Sequence, residues 1–162
     1  MASRQENLKS QIATSSWGGK RKLPYAFEAD AAYIDIYRQA EKSIHVVDDY
    51  MNTKTLQLLS QKQEGVEVIL FTENAHGKRG FLTTAVVNDF IKQYPPLRIK
   101  PNPDCHDRWI VLDYGLPTEA VYHCGASGKG AGKKVCAINK VASSKIIHPV
   151  IDALLWLPDK SI

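Results

Sequence analysis

Residues 106–113 read His106-Asp107-Arg108-Trp109-Ile110-Val111-Leu112-Asp113, a polar cluster that opens an apolar run which an acid closes. The run is short and rich in aromatic and β-branched residues, so it reads as a buried strand. Side chains two apart on a strand share a face, which lets His106 and Arg108 address one ligand while Trp109 and Val111 point the other way. An imidazole beside a guanidinium suits phosphoryl chemistry. The first can act as nucleophile or proton carrier, and the second can neutralise non-bridging phosphate oxygens through paired hydrogen bonds. Asp113 lies seven positions beyond His106, and strand alternation alone puts it on the opposite face. It therefore needs a turn, a bulge or an orienting role.

Upstream of this strand the pattern alternates between helix and strand. Ala32, Ile36 and Ala40, beside Tyr33 and Tyr37, predict an amphipathic helix over about 28–42. Ser43 to Val47 is a short β-branched strand ending in Asp48-Asp49-Tyr50, where the acids are placed to cap or orient neighbouring groups. Asn52 or Thr53 can cap a helix carrying Leu56 and Leu59, Gly65 can stop it, and Val66 to Phe71 forms the next strand. A third helix is expected from about Phe81 to Gln93, before Pro95-Pro96, with a strand at Leu97–Lys100.

Downstream the chain changes character. Extended segments are expected at about 108–112, 120–124 and 135–139, and a closing amphipathic segment carries Val150, Ile151, Leu154 and Leu155 with Pro149 at its first position. Between them lies a loop of glycine and lysine, Gly125 to Lys134. It fails the GxxxxGK[ST] pattern, because Ser127 stands where the first glycine belongs and Lys134 where Ser or Thr belongs. Its backbone N–H groups and lysines can still grip a phosphate. The whole is an α/β chain, a mixed β-sheet flanked by helices.

At 162 residues the chain has the size of one domain, and its net charge of +4 is too small to select a partner. The distribution says more. Residues 1–24 carry +4 and residues 125–145 carry +5 with no acid, so the remainder is an acidic body of −5. Cys105, Cys124 and Cys136 show no CxxC spacing, which argues against a disulfide framework or a thiolate zinc site. Asp48-Asp49 and His45, His76, His123 and His148 offer no HExxH-like spacing, so no metal and no cofactor is expected. His45 and His123 fall in strands, where a hydrogen-bonded structural histidine is the simpler role. The start MASRQENLKS has no apolar signal core and no stretch reaches the ~18 apolar residues of a membrane span. A cytoplasmic protein without membrane contact is the expectation.

His106, Arg108 and Asp113 match the His-x-Lys-x4-Asp spacing of the phospholipase D superfamily, with Arg in place of the usual Lys, and Gly125-Ala126-Ser127 stands where its small-residue segment follows. The sequence resembles this superfamily from about Ala31 to Val141, and most of all a phage and bacterial branch with an HDR-aromatic strand and a GASxKxxGKK-like loop. The resemblance implies a phospholipase D-like half-site domain: a metal-independent phosphodiesterase in which one histidine attacks phosphorus and a second protonates the leaving oxygen. One copy of the motif then requires a homodimer that brings two His106 residues across a two-fold axis. In these terms His106 is the nucleophile, Arg108 the phosphate clamp and Asp113 the orienting acid, with Ser127, Lys129, Lys133 and Lys134 as further phosphate contacts. The lysine-rich loop makes nucleic acid the expected substrate.

Residues 6–27, ENLKSQIATSSWGGKRKLPYAF, resemble the tail of a KilA-N-like phage antirepressor DNA-binding domain. This divides the chain into a basic arm, 1–27, and a phospholipase D-like domain, 28–162. Two departures from the superfamily pattern bear on function. Gly128 stands where an Asn is common, and no acid follows between Gly125 and Lys145. They favour a second reading beside the nuclease: a catalytically impaired nucleic-acid-binding or regulatory module of the same fold.

Overall fold

The computed structural model describes residues 20–23, 25–75, 81–125 and 136–162. Seven strands form one sheet: β1 (Lys20–Leu23), β2 (Ser43–Val47), β3 (Glu67–Phe71), β4 (Leu97–Lys100), β5 (Arg108–Leu112), β6 (Ala120–Cys124) and β7 (Cys136–Val141). Their order is β1-β7-β6-β5-β2-β3-β4. β2, β3 and β4 run parallel, as the intervening helices α2 (Thr53–Leu59) and α3 (Thr84–Gln93) require. β5 lies antiparallel to β2 and β6, and β7 antiparallel to β6 and β1. α1 (Ala26–Gln39) precedes β2, and α4 (Ile147–Leu155) closes the chain.

The central strands are apolar on both faces because both are covered, the pattern of a sheet buried between helices. Ile44, Val46, Val68, Leu70, Ile110, Leu112, Tyr122 and Cys124 meet α1, α2 and α3 on one face. Val47, Ile69, Phe71, Trp109, Val111 and Val121 meet Ile147, Ile151 and Leu154 of α4 on the other. Asn52 proves to be the cap of α2: its side chain accepts the Lys54 N–H at 3.0 Å, while the Thr55 hydroxyl accepts the Asn52 N–H at 3.1 Å. α2 ends at Leu59, before Gly65, which turns the chain into β3 with φ +76°.

Three expectations shift. The arm ends in a strand, β1, which pairs antiparallel with β7, where the sequence pattern offered no hydrophobic period to read. α1 begins at Ala26, so the boundary expected after residue 27 falls inside a helix. Pro149 is the third residue of α4, tolerated because the first turn has no intrahelical N–H bonds to lose.

His45 is buried against the rings of Phe71 and Tyr114, with centroids 5.8 and 5.4 Å away. Contrary to the hydrogen-bonded role expected of it, its Nδ1 has no hydrogen-bond partner among the described residues. Burial, with Arg98 as a lesser cause, lowers its pKa to about 4. Between pH ~6.5, the value for an unfolded histidine, and about 4 the unfolded chain holds the extra proton, so stability falls with acidification across that window. The change amounts to about 3 kcal/mol. Urea unfolding from pH 7 to 4 should show that slope in the wild type and a flatter one in His45→Gln.

Candidate functional site

One edge of the sheet gathers the polar sequence. The parallel strands β2, β3 and β4 end there, and β5, running the other way, begins there. The carboxyl ends of parallel strands are where open α/β sheets place their ligands. Asp48, Asp49 and Tyr50 leave β2 at this edge, Glu73 leaves β3, Asn102 follows β4, and residues 106–108 lead into β5.

His106 is exposed and lies in the loop before β5 rather than on the strand, and it makes no hydrogen bond among the described residues. Arg108 is the first residue of β5, opposite Cys124, on the face that carries α1 to α3. Its side chain is 27% exposed, and Nε lies 3.4 Å from Oδ1 of Asp48, whose own side chain is 7% exposed. This is an ion pair without hydrogen-bond geometry at Nε. The guanidinium carbon sits 4.8 Å from the centre of the Tyr50 ring, a cation–π contact. Asp48 Oδ1 also accepts the Tyr50 N–H at 2.8 Å, which locks the acid and the aromatic ring together.

The space among Tyr33, Tyr37, Thr55, Arg108 and Cys124 is about 10 Å³, too little for any ligand. A larger groove of about 310 Å³ runs between α2 and α3, lined by Leu56, Val86 and Phe90 among others and by no residue of the 106–113 motif.

Asp113 stands apart from this edge. It follows β5 at the opposite end of the sheet, roughly 17 Å of strand from Arg108. There it is buried with φ +50° and accepts hydrogen bonds from the N–H groups of Glu41, Lys42 and Ser43 at 2.7–3.2 Å and from the Thr118 hydroxyl at 2.8 Å. Burial alone would raise its pKa, but these donors outweigh it and hold the carboxyl below its ordinary value. The orienting acid expected of Asp113 is therefore corrected: it secures the turn from α1 into β2, the length of β5 away from Arg108.

Ser127, Lys129, Lys133 and Lys134 lie outside the described residues. The stems of their loop do not: the Gly125 N–H donates to the Ala137 carbonyl at 2.8 Å, at the end of the sheet where Arg108 lies. A Cβ at Gly125 would sit 3.0 Å from that carbonyl oxygen, so a side chain there would require the β7 backbone to give by a few tenths of an ångström. His123, two residues earlier on β6, packs its ring against Trp109 at 4.7 Å and has Nε2 3.9 Å from Asp107 Oδ2. Among the described residues no group of His, Cys, Asp and Glu is arranged to hold a metal ion. None of the helices there is long and apolar enough to cross a membrane.

Sequence reasoning placed Asp48 and Asp49 as orienting groups but missed Tyr50 and Asn102. Asn102 sits in Pro101-Asn102-Pro103-Asp104, whose composition signals only a turn.

No family model matches the sequence, and no curated protein matches it. Solved structures do resemble the fold. A polyphosphate kinase from Porphyromonas gingivalis superposes with a TM-score of 0.51 at 15% identity, over 85% of this chain and 22% of the kinase. TrmBL2, an archaeal chromatin protein with a novel mode of DNA binding, gives a TM-score of 0.51 at 9% identity, over 96% of this chain and 56% of that one. The chain thus spans about a fifth of the first and just over half of the second. At these identities the likeness is one of fold alone, a mixed sheet flanked by helices.

Proposed function

We propose that this domain acts on nucleic-acid phosphodiesters as a homodimer, with His106 as nucleophile. The observation that carries the reading is the exposed imidazole of His106 at the head of β5, which makes no hydrogen bond among the described residues and lies two residues from a guanidinium already held in place. An imidazole nitrogen of His106 attacks phosphorus as the bond to the leaving oxygen breaks, and His106 of a second chain gives that oxygen a proton. The second imidazole then takes a proton from water, which displaces the phosphorus from the first. Arg108 offers its terminal nitrogens to the non-bridging oxygens, and the lysine loop extends the contact along the backbone. The DNA binding of TrmBL2 supports a nucleic-acid substrate, and the phosphate chemistry of the kinase's name supports a phosphate-directed edge.

The test is hydrolysis of DNA, RNA and a generic phosphodiester in EDTA, with sedimentation at the assay concentration. Turnover by a dimer is expected; a strictly monomeric protein would remove the two-histidine step.

A second reading, a binding module without turnover, is favoured by the Asp48 carboxylate, which offsets part of the Arg108 charge. Both readings expect Arg108→Ala to weaken oligonucleotide binding about tenfold and to lower the salt slope of log K by about one. A salt titration of fluorescence anisotropy measures both; an unchanged slope would place Arg108 off the phosphate path.

A further inference from the structure

We infer that Asp48 and Asp49 form a divided positioning unit: Asp48, with Tyr50, fixes the Arg108 guanidinium, and Asp49, through Asn102, fixes the backbone that carries His106. The inference rests on the reading of His106 and Arg108 as the phosphodiester site. Neighbouring residues at a strand end point to opposite faces. Asp48 continues the Ile44 and Val46 face, where Arg108 lies, and Asp49 turns to the other.

Asp48 Oδ1 meets Arg108 Nε at 3.4 Å and the Tyr50 N–H at 2.8 Å, while the Tyr50 ring covers the guanidinium at 4.8 Å. One edge and one face of the cation are thereby occupied, and its terminal nitrogens are set in direction. Asp49 Oδ1 accepts the Glu73 N–H at 3.0 Å and the Asn102 amide at 3.1 Å. The same Asn102 amide donates to the Cys105 carbonyl at 2.9 Å, and the Asn102 N–H donates to Glu73 Oε1 at 2.8 Å. Beyond His106, the Cys105 thiol contacts the Asp107 carbonyl at 3.4 Å. The peptide that enters His106 is thus tied down through the Cys105 carbonyl, and the chain is held again at the Asp107 carbonyl, while the His106 ring makes no hydrogen bond among the described residues.

This arrangement answers the missing acid of the 125–145 segment. A histidine with no carboxylate on its ring can still be aimed if its backbone is held, and Asn102, buried at 2% exposure, is the link that holds it. Asp48, Asp49, Tyr50 and Asn102 are positioning residues, acting through Arg108 and His106.

The test reads the two groups separately and without substrate, by NMR of the Arg108 Nε–Hε pair and the His106 imidazole in labelled protein. Asp48→Ala should speed exchange of the Arg108 Hε with water by about tenfold or more and leave the His106 signals in place. Asp49→Ala should shift and mobilise the His106 signals and leave Arg108 in place. Either variant leaving its own target unmoved, or both variants disturbing both groups alike, overturns the proposal. Should the alanine variants fail to fold, the isosteric pair carries the comparison. Asp48→Asn loosens Arg108, because the charge is lost. Asp49→Asn keeps His106 as in wild type, because an amide oxygen still accepts both N–H groups, and a mobile His106 in Asp49→Asn overturns the proposal.

An absence of hydrolysis in wild type, with both signals behaving as stated, overturns the catalytic reading alone. Where wild type does turn over, Asp49→Ala should lower kcat with KM within about twofold, and Asp48→Ala should raise KM.

Discussion

His106→Ala is expected to lower phosphodiester hydrolysis by about 10³-fold or more, because the phosphorus loses the group that would bond to it. Stability should barely move: the ring is exposed and makes no hydrogen bond among the described residues, and such surface changes stay within about 0.5 kcal/mol. Parallel assays of turnover and thermal unfolding check both halves. Retention of more than about a tenth of the activity would remove His106 from the nucleophile's place. Subunit mixing adds a sharper measure. If each site needs two intact histidines, an equimolar, fully exchanged mixture of wild type and His106→Ala keeps about a quarter of the activity of an all-wild-type sample, against about half if each chain works alone.

Asp113→Ala is expected to destabilise the fold by about 3 kcal/mol, the largest single loss among the motif residues. The alanine leaves three backbone N–H groups, those of Glu41, Lys42 and Ser43, without their shared buried acceptor, and it must hold φ +50°. The melting temperature should fall by about 6–12 °C. Asp113→Asn keeps an acceptor oxygen and tolerates positive φ, so it should lose only about 1 kcal/mol. Because the folded carboxyl sits below its ordinary value, its contribution is complete above pH ~3.9 and is lost as pH falls through the lower folded pKa. Thermal unfolding of both variants at pH 7 checks the ranking. Equal losses would mean that the charge, and not the acceptor, does the stabilising.

The opposed outcomes expected for His106 and Asp113 show what a spacing motif does and does not encode. Alternation along a strand does not decide the matter, since His106 stands in the loop before β5 and Asp113 follows its far end; what separates them is the length of β5. The alternation of helix and strand was legible because Ala32, Ile36 and Ala40, and then Leu56 and Leu59, recur at helical spacing beside short apolar runs. The β1 strand was not, because its sequence pattern offers no hydrophobic period to read. Arg108 was legible as a charge near a histidine, whereas its setting was not, since Asp48 and Tyr50 lie some sixty residues away in the chain. His45 misled for the opposite reason: its sequence neighbours are all apolar, and nothing local signals that its Nδ1 would be left without a partner.

The clasp between Gly125 and Ala137 has a consequence for how such a chain can diversify. It ties β6 to β7 by a main-chain hydrogen bond to which no side chain contributes, so this pairing holds whatever residue types follow Gly125. If the lysines that follow contact the substrate, as proposed, their substitution should change preference among polyanions while the histidine strand keeps its place.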